Sequence, residues 1–388
     1  MSSTVMVRDV FVCEAVRTPV GKRGGGLSHV HPADLAAVVL SELVRRADLD
    51  PGLVDDVIMG CVDQVGAQAS NIARTAVLSA GFPLHVPATT IDRQCGSSQQ
   101  AVHFGTQAIA SGAMDIVIAA GVEVMSLVPL GSATTAGVEA GLGHPRHGAS
   151  WAERFGDMTI SQFHGAELIA ERWGISRSDM EAFALTSHER AIAAQDAGEF
   201  VAEIVAVGEI TADEGPRRGT TLEKMASLDP LRPGGRLTAA VASQISDGAS
   251  ALVLASGDAV RRHGLRPLAR ISATAVVGSD PELMLTGPIP ATQRILERTG
   301  LSIDDIDVME VNEAFASVVL AWAQEVGADL ERTNPLGGAI ALGHPLGATG
   351  VRLMTTMVHL LQRRGLDRGL QVMCEGGGMA NATLLERV

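Results

Sequence analysis

Cys95 and Cys374 each stand in a glycine-bearing turn, Gln94-Cys95-Gly96-Ser97 and Cys374-Glu375-Gly376-Gly377-Gly378. A third such turn, Gly343-His344-Pro345-Leu346-Gly347, carries a histidine. A thiolate is a soft nucleophile, an imidazole can take its proton, and a second thiol can carry another. This set suits carbon–carbon bond chemistry on a thioester better than simple hydrolysis. One sulfur would attack a carbonyl and the other would move a proton.

Each residue has a plainer use as well. A strand from Ala88 to Gln94 runs into Cys95, and a helix is expected from Gln99 to Ser111. A helix N-terminus lowers a thiol pKa through its free N–H groups and dipole, and Gly96 leaves room for a substrate. A buried core cysteine is an equally good account of Cys95 taken alone. His344 lies in the stretch Gly337 to Gly350, dense in glycine, but no Gly-Lys-Ser/Thr follows, which excludes a phosphate-binding P-loop. A histidine among glycines at a helix start can activate a thiol or polarise a carbonyl; the plain use is a loop histidine bonded to backbone. Cys374 ends an apolar strand, and the N–H groups of the glycines after it could form an oxyanion hole. Asn312, in Asn312-Glu313-Ala314-Phe315, follows the strand Val308 to Val311; it could cap the next helix and still hold a water. Cys13 and Cys61 lie within apolar strands and are assigned to the core.

The elements that must position these residues alternate. Strands are predicted over Val7 to Val16, Val54 to Cys61 and Asp115 to Ala120, with helices over Pro32 to Ala47 and Asn71 to Ala80. In the C-terminal third the order recurs: strand Ile306 to Val311, helix Ala314 to Val326, helix Gly347 to Gln362, strand Leu370 to Cys374. This is the pattern of a layered α/β fold. Cys95 and His344 each precede a helix and then a strand, so the halves read as one duplicated unit whose copies meet at a seam. Residues 126–239 differ, with Gly- and His-bearing loops and two helices around 162–195, and read as an inserted region covering a ligand. Within it Arg217, Arg218, Lys224, Arg232 and Arg236 face only Glu223 and Asp229, a local basic patch.

The 388 residues suffice for two or three sub-domains with sizeable cores. Hydrophobic residues make up 46% and aromatics 3%, so the core must be aliphatic and stacking platforms for single-stranded nucleic acid are few. The net charge of −14 argues against a general polyanion binder, and any anionic ligand must meet a local basic patch. No apolar run reaches membrane-spanning length, and the N-terminus lacks a basic region followed by an apolar one. The four cysteines show no zinc-like spacing, so reduced thiols and a cytoplasmic location are expected, with no metal and no tightly bound cofactor.

Gln-Cys-Gly-Ser at 94–97, Asn-Glu-Ala-Phe at 312–315, Gly-Gly-Ala-Ile-Ala-Leu-Gly-His-Pro at 337–345 and Cys-x-Gly-Gly-Gly-Met at 374–379 together resemble the thiolase family. Arg17-Thr18-Pro19-Val20-Gly21 and Ser246-Asp247-Gly248-Ala249 match as well, and the resemblance covers nearly the whole chain. It implies two βαβαβ-type halves in a five-layered α-β-α-β-α core with an inserted loop domain, assembled as a homodimer or homotetramer. The expected limits are 1–125 plus 240–266 for the first half, 126–239 for the loop domain and 267–388 for the second half. By the resemblance Cys95 becomes acylated. His344 activates it and contributes to an oxyanion hole that a water on Asn312 completes. Cys374 is the acid/base, and the N–H groups of Cys95 and Gly376 form a second hole. Ser243 would contact the pantetheine arm and Arg218 would lie near the nucleotide of coenzyme A, a substrate rather than a resident cofactor.

Three features depart from the family pattern. Glu375 follows Cys374 where a small or apolar residue is usual, and its charge, if turned inward, would raise the Cys374 pKa. Ser161-Gln162-Phe163-His164 replaces a His-Met-Gly or Asn-Met-Gly segment, and Ser243-Gln244-Ile245-Ser246-Asp247 replaces Ser-Gly-Ile-Asn-Asp. The last two resemble the actinobacterial sterol-degrading branch. The implied reaction is therefore CoA-dependent cleavage of a longer or bulkier 3-ketoacyl-CoA to acetyl-CoA and a shortened acyl-CoA. The alternatives are a short-chain acetoacetyl-CoA thiolase working in condensation, or a non-catalytic acyl-CoA- or lipid-binding relative. A decarboxylating ketoacyl synthase, with one Cys and two His, fits the Asn312 and Cys374 positions poorly.

Overall fold

The computed structural model describes residues 8–156 and 158–388. Its strands are β1 (Val10–Arg17), β2 (Gly21–Lys22), β3 (Asp56–Gly60), β4 (Ala88–Ile91), β5 (Ile116–Val124), β6 (Ser246–Ser256), β7 (Ala269–Gly278), β8 (Val308–Val311), β9 (Arg368–Glu375) and β10 (Met379–Arg387). Along the sheet they lie in the order β4-β3-β5-β6-β1-β7-β10-β9-β8, with β2 paired to β6. The pairings of β3 with β4, β3 with β5, and β8 with β9 are parallel; β6 and β10 each run antiparallel to their neighbours. Each half therefore has the same order, read outward from β1 as β6-β5-β3 and from β7 as β10-β9-β8. The halves are joined by a two-residue ladder, Phe11 with Arg270 and Val12 with Ala269.

Every residue of β5 and of β6 is buried, the mark of strands covered on both faces. The covering layers follow from the core clusters. Helices Pro32–Arg46 and Ile72–Ser79 pack on the outer face of the first half, through Leu35, Val39, Leu43, Ile72 and Val77. Helices Pro288–Thr299 and Ala316–Val326 do the same for the second half, through Ile295, Val319 and Trp322. Between the halves, helices Ser97–Ala110 and Thr349–Arg364 share one core through Val102, Ile109, Val351 and Met354. The result is the five-layered α-β-α-β-α stack. Helices Gln162–Arg172 and Arg177–Asp196 of the inserted region pack against the second half through Ile169, Met180, Phe315 and Cys374.

Two central helices begin side by side. Ser98 Oγ accepts from Val351 N at 2.9 Å, and Gln371 Nε2 donates to Gln99 Oε1 at 3.0 Å and to Gly350 O at 2.6 Å. This contact brings the two reactive turns to one seam. The strand predicted from Val7 begins at Val10, Val7 lying outside the described residues. The cap of helix Ala316–Val326 is Phe315, so Asn312 is not a helix cap; Asn312 and Glu313 lie buried in the irregular segment after β8 instead. Within 126–160, short helices Ser132–Glu139 and Ala149–Phe155 stand where only loops were expected, and neither buries a residue. β6, β7, β10 and helix Pro288–Thr299 were not anticipated; β6 and β7 are rich in Ala, Ser and Gly, which blurs their alternation.

Candidate active site

The turn bearing Cys95 is strained and held from three sides. Gln94, just before it, has φ 49°, the left-handed region that a side chain rarely adopts. Asp92 Oδ1 accepts from Gln94 N at 2.6 Å, Ser97 Oγ donates to Gln94 O at 2.6 Å, and Asn381 Nδ2 donates to Gly96 O at 3.0 Å. Cys95 is 8% exposed and packs with Met125, Leu346, Leu353 and Met373. The N–H of Gly376 and its own N–H are directed at its sulfur.

The helix N-terminus does not by itself ionise Cys95. Gly96 caps helix Ser97–Ala110, so Cys95 does stand at its start. Even so, burial pushes its thiol well up, the Cys374 and Glu375 charges push it further, and the two N–H groups recover only part. Desolvation disfavours the thiolate more strongly than a helix end favours it. Thiolate formation therefore requires a base.

His344 stands in the same cluster, linked through Asn312 to Cys374. It is 3% exposed, and its N–H groups and ring are fixed by named partners. Thr349 Oγ1 donates to Pro345 O at 2.7 Å, so its oxygen is left to accept from His344 Nδ1–H at 2.6 Å. That places the proton on Nδ1 and the lone pair on Nε2, where Asn312 Nδ2 stands at 3.4 Å. Burial and then the Arg352 charge push the imidazole down to about 3, which keeps it neutral. The backbone N of His344 reaches Ser246 Oγ at 3.1 Å and Gln244 O at 3.3 Å. Gly343 has φ 104°, and a Cβ there would overlap Ser246 Oγ, so only glycine admits this turn.

Cys374 and Asn312 complete the cluster. Both are fully buried, and Asn312 Nδ2 also donates to Cys374 Sγ at 3.7 Å. Asn312 Oδ1 has no protein partner. The Cys374 thiol is pushed up to about 11 by burial, opposed by the Asn312 hydrogen bond. Its neighbour Glu375 turns the other way along the strand, with its carboxyl against Gly96, and still raises the Cys374 thiol through its charge. The structure thus brings Cys95, Asn312, His344, Cys374 and the Gly376 N–H to one place. Arg218 and Ser243 lie outside this cluster. Arg218 is exposed, paired with Asp196 at 2.9 Å, and lines a groove of about 280 Å³ with Arg217, Lys224 and His188. Ser243 lines an adjoining chamber of about 700 Å³ with Phe163, Leu231, Ile245 and Arg217. Cys13 and Cys61 are buried, as assigned.

Several positioning residues escaped the sequence reading. Thr349 is one; its only signal was a hydroxyl five residues after His344. Glu123 is another. Its buried carboxylate accepts from Gly347 N and Val62 N at 2.9 Å, Asp63 N at 3.2 Å and Gln68 Nε2 at 2.7 Å, tying the first half to the histidine loop. Glu313 accepts from Ser187 Oγ at 2.7 Å, Asn334 Nδ2 at 2.9 Å and Ile340 N at 3.1 Å, holding the same loop from the other side. Gln244, one of the departures, also has a place: its Nε2 donates to Gly215 O, Ile340 O and Ala341 O at 2.9–3.0 Å.

Comparisons with known proteins identify the family. Residues 10–258 match the family described as "Thiolase, N-terminal domain" and residues 265–387 match "Thiolase, C-terminal domain". The chain is 58% identical to the steroid 3-ketoacyl-CoA thiolase FadA6 of Mycobacterium tuberculosis, over 99% of this chain and 95% of that one. It is 45% identical to a beta-ketoadipyl-CoA thiolase of Pseudomonas aeruginosa, over 99% and 100%. Among solved structures it superposes on the Bacillus anthracis acetyl-CoA acetyltransferase with TM-score 0.89 at 38% identity, covering 99% and 100%. Human mitochondrial 3-ketoacyl-CoA thiolase in complex with CoA gives TM-score 0.89 at 37% identity, covering 99% of each chain. Among the described residues no helix is long and apolar enough to cross a membrane. Both domain matches, the whole-chain identity and the shared five-layered fold place this chain in the thiolase family, as an acyltransferase.

Proposed function

We propose that the protein cleaves bulky 3-ketoacyl-CoA substrates with coenzyme A, through an acyl group on Cys95. The observation that carries this reading is the convergence of Cys95, His344, Asn312, Cys374 and the Gly376 N–H at one seam. His344 Nε2 takes the Cys95 proton, and the sulfur attacks the C3 carbonyl. The C2–C3 bond breaks, its electron pair stays on C2, and the Cys374 thiol protonates that carbon to release acetyl-CoA. Coenzyme A then attacks the acyl-cysteine, Cys374 thiolate takes its thiol proton, and the shortened acyl-CoA departs with the Cys95 sulfur restored.

Two charge-bearing oxygens need donors. The N–H groups of Cys95 and Gly376 serve the thioester oxygen at Cys95. Asn312, through a water, and protonated His344 serve the oxygen of the acetyl-CoA enolate. Each such donor contributes about 3–4 kcal/mol in comparable sites. Arg218 and the basic groove are read as meeting the nucleotide phosphates, and Ser243 the pantetheine arm. The region 126–239 is read as the cover of that approach, between a first half of 1–125 plus 240–266 and a second half of 267–388.

The preference for bulky substrates rests on the chamber beside Ser243 and on the steroid thiolase among the relatives, and it disfavours acetoacetyl-CoA synthesis. The assembly is read as a homodimer or homotetramer. C95A should lose both turnover and labelling by radioactive acetyl-CoA; undiminished labelling would sink the assignment. Rates on acetoacetyl-CoA against a ten-carbon or steroid 3-ketoacyl-CoA decide the substrate. Faster turnover of acetoacetyl-CoA would reverse the preference.

A further inference from the structure

Glu375 is fully buried, and neither carboxyl oxygen has a hydrogen-bond partner. Its carboxyl fills the space behind the nucleophile. A Cβ added at Gly96 would overlap Glu375 Oε1 and would stand 2.8 Å from Asn381 Nδ2, the group that holds the Gly96 carbonyl. Gly96 is thus glycine because Glu375 occupies its side-chain space. Two further buried polar atoms beside this pocket lack partners, Asn381 Oδ1 and Arg93 Nε.

A lone buried carboxylate with no donor is unfavourable, whereas the uncharged acid carries its own donor and is tolerated. The ionisable groups facing Glu375 are Arg93 and Asp92 from the turn after β4, Cys95 beyond Gly96, and its own neighbour Cys374. Arg93 favours the carboxylate and Asp92 opposes it. Burial outweighs both and pushes the group up to about 8.

We propose that Glu375 is a positioning residue for Cys95: as the uncharged acid it packs behind Gly96 and leaves the Cys95 thiolate unopposed, and as the carboxylate it sets a negative charge against that thiolate and slows acylation. Ionisation of this one side chain therefore limits the enzyme on the alkaline side, where an ordinary cysteine nucleophile would gain. Two like charges separated by one backbone turn repel enough to lower the thiolate fraction on the order of tenfold.

The inference rests on acylation of Cys95, and the test separates the two. Single-turnover labelling of the full-length enzyme by radioactive acetyl-CoA is followed from pH 6 to 10 for wild type, E375Q, E375A and D92N. Labelling of wild type at pH 7 reports on Cys95 itself; its absence would overturn the acyl-cysteine reading. Given labelling, the wild-type rate should fall by on the order of tenfold between pH 7 and 9.5. E375Q, the uncharged isostere, should label at pH 7 at a rate close to wild type and show no alkaline fall. E375A should be slow at every pH, because the space behind Gly96 is emptied. D92N removes a charge that opposes Glu375 ionisation, so its fall should begin at lower pH. An E375Q profile that falls like wild type, or a D92N profile that does not move, overturns the proposal. Should E375Q fail to fold, the D92N shift alone decides it.

Discussion

The Thr349 hydroxyl sets the tautomer of His344, and T349V removes it at nearly constant volume. Two hydrogen bonds go: His344 Nδ1 to Oγ1 at 2.6 Å and Oγ1 to Pro345 O at 2.7 Å. Pro345 O keeps the bond from Ala348 N at 3.0 Å, so the unsatisfied group is the buried Nδ1–H. Leaving such a donor unpaired costs about 1–3 kcal/mol. The imidazole escapes that cost by moving its proton to Nε2, and in that form it is not a base toward Cys95. With about 1.4 kcal/mol per factor of ten, the rate of Cys95 acylation should fall about 5- to 140-fold. T349S keeps the oxygen and should stay within about threefold of wild type. The assay is single-turnover labelling by radioactive acetyl-CoA at pH 7.5, with near-ultraviolet circular dichroism to confirm the fold. A T349V enzyme that acylates within about twofold of wild type would refute the tautomer argument.

Other outcomes follow from the same geometry. E313A leaves Asn334 Nδ2, Ile340 N and the Ser187 hydroxyl without their buried acceptor, so urea unfolding should show a loss of about 3–5 kcal/mol; a loss under about 1 kcal/mol would deny Glu313 its role in holding the histidine loop. The His344 imidazole, pushed down to about 3, should keep its neutral Nδ1–H nitrogen NMR signature from pH 8 to 5; titration near the ordinary value of about 6.5 would contradict the burial argument. Because the unfolded chain then takes up a proton that the folded one refuses, wild type should lose stability relative to H344Q as pH falls from about 6.5 to about 3, on the order of 1 kcal/mol per unit. R218A should raise the KM for coenzyme A roughly fivefold with little change in kcat, since Arg218 is exposed and lines a groove that includes neither sulfur; an unchanged KM would remove it from the nucleotide site.

Reactive turns and their order were legible because chemistry of this kind leaves compact marks. Cys95, His344 and Cys374 sit among glycines that a backbone needs for close approach, and strand-to-helix alternation is a periodic signal. The side chains that aim them left no such mark. Glu123 reaches across 224 residues to Gly347, and Glu313 reaches Ser187 in the inserted region. Neither partner is near in sequence, and a glutamate in an apolar strand reads the same whether or not four N–H groups await it. Gln244 and Ser246 first read as departures from a pattern, and became anchors of the histidine loop only when the loop was in view.

From the sequence alone came the duplicated α/β plan, the acidic surface with one basic approach, and the identity of the two sulfurs and the imidazole. Each of these is local or additive, a matter of residue type and spacing. Tertiary packing decided how those groups behave. It buried Cys95 so that a helix terminus no longer suffices to ionise it, placed the His344 lone pair on Nε2 through Thr349, and turned Glu375 away from Cys374 to stand behind Gly96. Desolvation and hydrogen-bond direction depend on what surrounds a group from every side, and that surrounding is assembled from residues hundreds of positions apart.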